Sequence, residues 1–123
     1  MFRYPYFYNM TNLDIYEQMN YEMMFANMRQ CYERDSLKEN YTIEEASFIA
    51  KYLNVRFDNF DVEQFRIGLN VELEHGSINP ITNVTNDDPI LTGKIALAHL
   101  NEFPDYYTRL TKMEEEAEKY WGD

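Results

Sequence analysis

Asp61-Val-Glu-Gln-Phe-Arg-Ile-Gly-Leu-Asn-Val-Glu-Leu-Glu-His-Gly76 is the stretch that decides the fold class. Its apolar residues recur at spacings of three and four, which places them on one face of a helix: Val62, Phe65, Leu69 and Leu73. Asp61 can cap the first turn. Gly76 is predicted to end the helix in the left-handed conformation, with His75 placed favourably against the helix dipole.

Similar signals predict helices on either side of this stretch. Thr42-Ile-Glu-Glu45 has the capping-box pattern, and apolar residues at helical spacing follow it to about Asn54. Asp88-Pro89 combines a cap with a proline at the first helical position, and the helix that it starts must break or kink at Pro104. The polar connection from Ser77 to Asp87 is long for a link between helices, so we expect a structured or functional loop.

Two more helices are predicted towards the ends of the chain. Residues 11–14 offer a cap for a Met-rich helix that runs to about Arg34. Beyond Asp105, apolar residues repeat at spacings of four and three and form a two-heptad seam: Tyr106, Leu110, Met113, Ala117 and Tyr120. The seam predicts a final helix with one apolar edge.

These patterns predict an all-α fold, a compact bundle of four or five helices with a long polar loop before the Asp88-Pro89 helix start. The number is four if Pro104 only kinks the last helix. We expect a single domain over residues 1–123, in which residues 1–40 are an aromatic and Met-rich arm and helix and residues 42–121 are the helical core.

Composition narrows the class of protein. The net charge is −11, and the segment from residue 61 onward carries 13 acidic and 5 basic residues, so we expect no direct binding to nucleic acid. The single cysteine, Cys31, and the absence of a signal-like or long apolar segment predict a cytoplasmic protein with no membrane contact. Mimicry of nucleic acid by the acidic surface is a third functional hypothesis.

The two histidines of the chain are the candidates for chemistry, because no phosphate-binding loop, cysteine cluster or nucleophile motif is present. Each histidine lies three residues from a glutamate, in Glu72-Leu-Glu-His75 and in His99-Leu-Asn-Glu102. Paired helices with this spacing hold iron or manganese in carboxylate bundles, and Glu44 or Glu45 could add a ligand. Glu72, His75, His99 and Glu102 are therefore the predicted ligands of a divalent iron, manganese or zinc ion under the metal hypothesis.

Helix geometry weighs against that site. If the two helices are antiparallel with level ends, His75 lies at the turn and His99 lies roughly 15 Å along the axis. In the simpler alternative, His75 complements a helix end and His99 bonds a buried carboxylate. We therefore expect no cofactor, and the metal site stays the second hypothesis.

Two strings resemble a small family of uncharacterised domains found in bacteria, archaea and phages. They are the Phe60–Gly76 string, FDVEQFRIGLNVELEHG, and the Thr92–Tyr107 string, TGKIALAHLNEFPDYY. The resemblance covers residues 42–121 and implies no established activity. It implies that Glu72–Gly76 and His99–Tyr107 are the family's own signature.

The leading functional hypothesis is a non-catalytic interaction or structural module that binds a protein partner or self-associates as a homo-oligomer. Met-rich and Tyr-rich helix faces are typical of adaptable contact surfaces. The predicted contact residues lie on the first helix: Tyr16, Met19, Met23 and Phe25.

Overall fold

The computed structural model describes residues 14–34 and 40–122. Within these residues the chain forms five helices and no strand: α1 (Ile15–Arg34), α2 (Ile43–Tyr52), α3 (Val62–Glu72), α4 (Pro89–Glu102) and α5 (Tyr106–Tyr120). A 3₁₀ turn, Leu73–His75, extends α3. The predicted all-α class is confirmed. The helix at Pro104 breaks rather than kinks, because α4 ends before this proline and α5 begins after it.

The starts of α2, α3 and α4 coincide with the predicted ones because side-chain oxygens accept hydrogen bonds from the first amides. The Thr42 hydroxyl oxygen accepts from the Glu45 amide at 3.1 Å, and the Glu45 carboxylate accepts from the Thr42 amide at 2.9 Å. The Asp61 carboxylate accepts from the Gln64 amide at 2.9 Å. The Asp88 carboxylate accepts from the Ile90 amide at 2.8 Å, with Pro89 in the first position.

The predicted left-handed Gly76 is wrong, since its φ is −100°. The 3₁₀ turn already closes α3, because the Gly76 amide donates to the Leu73 carbonyl at 3.0 Å. A glycine is required here for space. A Cβ on Gly76 would lie 1.9 Å from the Asp87 carboxylate.

The loop between α3 and α4 is a structured one. Asp87 accepts hydrogen bonds from the Ser77 amide, at 3.0 Å, and from the Ser77 hydroxyl. The His75 carbonyl accepts from the Val84 amide at 2.7 Å, which ties the middle of the loop to the end of α3. Asn86 and Asp87 have positive φ, a conformation that Asn and Asp tolerate well. The loop therefore fixes the start of α4 relative to the end of α3.

The core lies where α3 packs against α2, α4 and α5. Its fully buried side chains include Ile49, Phe65, Leu69, Leu100 and Tyr107. Small residues allow the helices to approach closely. An added Cβ on Gly68 would lie 3.2 Å from the Cβ of Ala96 on α4 and 2.6 Å from the ring of Tyr107 on α5.

The two terminal helices attach to this core differently. Helix α1 inserts Phe25, whose ring meets Tyr52 edge-on at 5.2 Å. Helix α5 is anchored by Tyr107 and by the partly buried Leu110, but every residue from 111 to 122 is exposed. We call residues 111–122 the α5 projection, and its helical part, which ends at Tyr120, is about 15 Å long. The expected aromatic arm at residues 1–10 lies outside the described residues.

None of the helices described here combines the length and the apolar character needed to cross a membrane.

Candidate functional site

A buried carboxylate, Glu72, lies at the centre of a polar cluster between α3, α4 and α5. Glu72 is the last residue of α3 and is only 3 % exposed. The Tyr107 hydroxyl donates a hydrogen bond of 2.7 Å to its Oε1. A buried carboxylate needs such a donor, because removing the group from water costs several kcal/mol when it stays unpaired.

Both histidines of the chain approach this same carboxylate. His75 Nε2 lies 3.7 Å from Glu72 Oε2, and His99 Nε2 lies 3.7 Å from Glu72 Oε1. The two imidazoles are 47 % and 31 % exposed, and His75 Nε2 lies closer, at 3.3 Å, to Oε1 of the exposed Glu74. The wide separation of His75 and His99 that is expected for antiparallel helices with level ends does not occur in the structure. The 3₁₀ turn brings His75 back towards Glu72, and the close approach of α3 and α4 brings His99 to it.

Two tyrosines from the first turn of α5 complete the cluster. The ring of Tyr106 stacks on the His99 imidazole, with centroids 4.3 Å apart and an interplanar angle of 11°. Tyr107 meets His99 edge-on at 6.2 Å and Tyr106 edge-on at 5.1 Å. The tyrosine pair therefore fixes the orientation of His99 between α4 and α5.

Both tyrosines are held in the neutral form. Burial raises the pKa of Tyr107 far above its usual value, and the Glu72 carboxylate raises it further. Burial also raises the pKa of Tyr106, with smaller contributions from Glu102 and Glu72. Tyr107 consequently acts as a permanent hydrogen-bond donor to Glu72 at any physiological pH.

The other predicted ligands do not enter the cluster. Glu102 is exposed at the end of α4, where its charge acts on Tyr106. Glu45 is engaged in the capping box of α2, and Glu44 is exposed. In the two described segments, no group of three or more His, Cys, Asp and Glu side chains is arranged to hold a metal ion.

No motif in the sequence distinguishes Tyr107 as a site residue. Its partner Glu72 is far away in the chain, and the break at Pro104 prevents helical periodicity from relating Tyr107 to His99. The adjacent pair Tyr106-Tyr107, placed directly after a helix start, was the signal available in the sequence. It could have suggested one buried and one half-buried ring.

The predicted contact residues of α1 divide between two faces. Tyr16, Met19 and Met23 are exposed, whereas Phe25 is 2 % exposed and belongs to the core. The structure therefore does not bring Phe25 together with the other three. At the opposite end of the chain, Met113, Tyr120 and Trp121 are also exposed.

Comparison with known families identifies the type of domain. Residues 46–116 match the family described as "Protein of unknown function (DUF5661)", which is more than half of the chain. The chain belongs to this family. No curated protein and no solved structure matches it. The whole Glu72 cluster lies inside the region matched to the DUF5661 family, whereas α1 and the last part of the α5 projection lie outside it.

Proposed function

We propose that this DUF5661 protein is a non-catalytic helical module that binds another protein, and that the α5 projection is its main contact element. One observation carries the proposal. Met113, Tyr120 and Trp121 are 58 %, 79 % and 77 % exposed, although they are large apolar residues in and directly after the last turns of α5.

Helix stability supports this interpretation. An isolated helix of this length is marginal in water, and most helices in proteins are stabilised by packing of an apolar face. The α5 projection has an apolar face, but every one of its residues is exposed, and the last apolar residue of α5 that packs against the core is Leu110. A partner that covers the face would supply the missing packing, and clustered exposed apolar residues are typical of interaction sites.

The exposed face of α1 is proposed as a second contact. It consists of Tyr16, Met19 and Met23, on the side of the helix away from Tyr21 and Phe25. Residues 14–26 include three acidic residues and no lysine or arginine. A second copy of this chain is the alternative occupant of either surface.

Site-specific photocrosslinking in the native host tests the proposal. A photoreactive aromatic amino acid replaces Tyr120 on the projection, and the control variant carries it at Ser47, an exposed position of α2. We expect one discrete crosslinked protein at position 120 and none at position 47. The purified partner must then bind the wild-type chain in sedimentation experiments, and Met113→Ser/Tyr120→Ser must weaken that binding about tenfold or more.

Two outcomes would overturn the proposal. One is a folded Tyr120 variant that crosslinks to no protein. The other is a crosslinked protein whose purified form binds the wild type and the double variant equally well.

A divalent-metal protein is the second candidate function. The observation in its favour is that both histidine Nε2 atoms lie 3.7 Å from the two oxygens of one carboxylate. The two distances end on different oxygens, Oε2 for His75 and Oε1 for His99, so both imidazoles would have to move before the three side chains could share one ion. Binding of iron, manganese or zinc would then use Glu72, His75 and His99.

Metal analysis of the purified, tag-free protein decides this second candidate. Near-stoichiometric metal that is lost in the variant His75→Ala/His99→Ala would support it. Protein that contains no metal, and takes up none when zinc, manganese or iron is added, would exclude it.

A further inference from the structure

We infer that the α5 projection binds a basic, amphipathic helix of another protein. This inference rests on the proposed function, because it names the chemistry of the partner at the same surface. The observations behind it are the shape of the apolar face, the charges beside it and the charge of the chain as a whole.

The apolar residues of the projection form one continuous stripe. Met113, Ala117 and Tyr120 are separated by four and three residues, so they lie on one face of the helix. Trp121 follows Ala117 by four residues and widens the stripe, and its ring meets Tyr120 edge-on at 5.0 Å. A stripe of this width fits the apolar face of a second helix.

Glutamates border the stripe on both sides. Glu114 and Glu118 share one border because they are four residues apart, and Glu116 lies on the other border. Lys112 and Lys119 are the only basic residues of the projection. Around the helix they lie on the same side as Glu116, but farther from the stripe. A docked helix would therefore meet carboxylates along both edges of its apolar face. Lysine or arginine at its flanking positions complements them, as at the flanking positions of coiled coils.

A second copy of this chain is a poorer occupant. Two projections side by side would place Glu114 and Glu118 of one chain near acidic residues of the other. The whole chain also carries a net charge of −11, which opposes the approach of two copies. A basic partner is attracted by the same charge.

Fluorescence of Trp121 provides the test, since this is the only tryptophan of the chain and it lies on the stripe. The probe is a synthetic helical peptide without tryptophan, with leucines along one face and lysines beside them. Two control peptides carry glutamates in place of the lysines, or serines in place of the leucines. We expect saturable binding and a blue shift of the emission for the leucine–lysine peptide alone.

Two variants of the full chain locate the binding. Glu114→Lys/Glu116→Lys/Glu118→Lys and Met113→Ser/Ala117→Ser are each expected to bind the peptide about tenfold or more weakly. These side chains are exposed, so both variants should keep the wild-type circular dichroism and unfolding midpoint. Added salt should weaken the wild-type binding.

Several results would overturn the inference. If the serine–lysine peptide binds as tightly as the leucine–lysine peptide, the interaction depends on charge alone and not on the apolar stripe. Binding that is unchanged in both chain variants would place it elsewhere. Absence of any binding, or concentration-dependent dimerisation that the triple lysine variant abolishes, would also contradict a basic partner. If photocrosslinking at Tyr120 still yields a partner, only the inferred chemistry fails and the proposed function stands.

Discussion

The hydroxyl of Tyr107 stabilises the Glu72 carboxylate, which is almost completely buried. Its 2.7 Å hydrogen bond to Glu72 joins α5 to α3 across the core. We expect Tyr107→Phe to lower the free energy of unfolding by about 1–3 kcal/mol, because an oxygen of the buried carboxylate loses its donor while the ring is kept. Urea denaturation of the wild type and the variant measures the difference.

Tyr106→Phe is the matched control for that prediction. It removes a hydroxyl from the adjacent half-buried ring, which acts by stacking on His99. We expect a change within about 0.5 kcal/mol. Equal destabilisation by the two variants would show that the bond to Glu72 contributes nothing specific.

Tyr107 also predicts how stability depends on alkaline pH. Its pKa in the folded chain is raised by burial and by Glu72, whereas in the unfolded chain the pKa is about 10. The unfolded state therefore loses this proton first. The stability that the neutral phenol contributes is complete below about pH 10 and is lost as the pH rises above that value.

Unfolding measured from pH 8 to pH 11 should accordingly show a fall in stability at the alkaline end. Tyr107→Phe should reduce the steepness of this fall, because one titrating group has been removed. An identical pH dependence in the wild type and the variant would contradict the assignment of Tyr107 as a neutral donor.

At the scale of the helix, two glycines permit close packing in different ways. A Cβ on Gly68 would lie 2.6 Å from the ring of Tyr107, which is held by its bond to Glu72. A Cβ on Gly93 would lie 2.7 Å from the Cγ2 methyl of Ile49 and 2.9 Å from the Cδ1 methyl of Leu53. The Leu53 methyl ends a flexible side chain and can rotate away more easily than a fixed ring, whereas the Ile49 methyl is attached to the β-branched carbon and moves less readily.

We therefore expect Gly68→Ala to destabilise the bundle by about 1–3 kcal/mol, and Gly93→Ala to cost less. Both variants gain the same preference of alanine for the helix, which cancels in the comparison. Unfolding in urea measures both. A larger loss for Gly93→Ala would mean that the α3–α5 contact is looser than the distances indicate.

Helix starts were predictable because capping is a local property of the chain. Thr42, Asp61 and Asp88 each bond amides two or three residues ahead, so neighbours in the sequence are sufficient to recognise them. The end of α3 was not predictable in the same way. Gly76 has the sequence pattern of a left-handed cap. Glycine is needed there because a side chain would collide with Asp87, which is eleven residues further along the chain.

The faces of the helices were harder to predict than their limits. Helix α1 has apolar residues on both sides, and the pattern does not distinguish Phe25, which is buried, from Met19, which is exposed. The convergence of His75 and His99 on Glu72 depends on how α3 and α4 cross, and no spacing within one helix records that. Caps and the core face of α3 can be predicted from the sequence, whereas the buried side of α1 and the contacts between helices cannot.

At the scale of the whole molecule, the bundle and the α5 projection should be separable. Removal of residues 116–123 leaves Tyr107, Leu110 and ten residues of α5 in place. Because the deleted side chains from 116 to 122 are exposed, we expect the free energy of unfolding to change by about 0.5 kcal/mol or less. Thermal unfolding followed by circular dichroism measures this. A loss of several kcal/mol would mean that the projection packs against the bundle.

The central claim is that the α5 projection is the main site of recognition, ahead of the Glu72 cluster and of the second contact face on α1. The most direct measurement is the change in backbone amide chemical shifts when the isotopically labelled chain is saturated with the leucine–lysine peptide. The account predicts that the largest changes fall within residues 111–122, with small changes near His75, His99 and Met19. Changes centred on the Glu72 cluster or on α1, or no change at all, would contradict it.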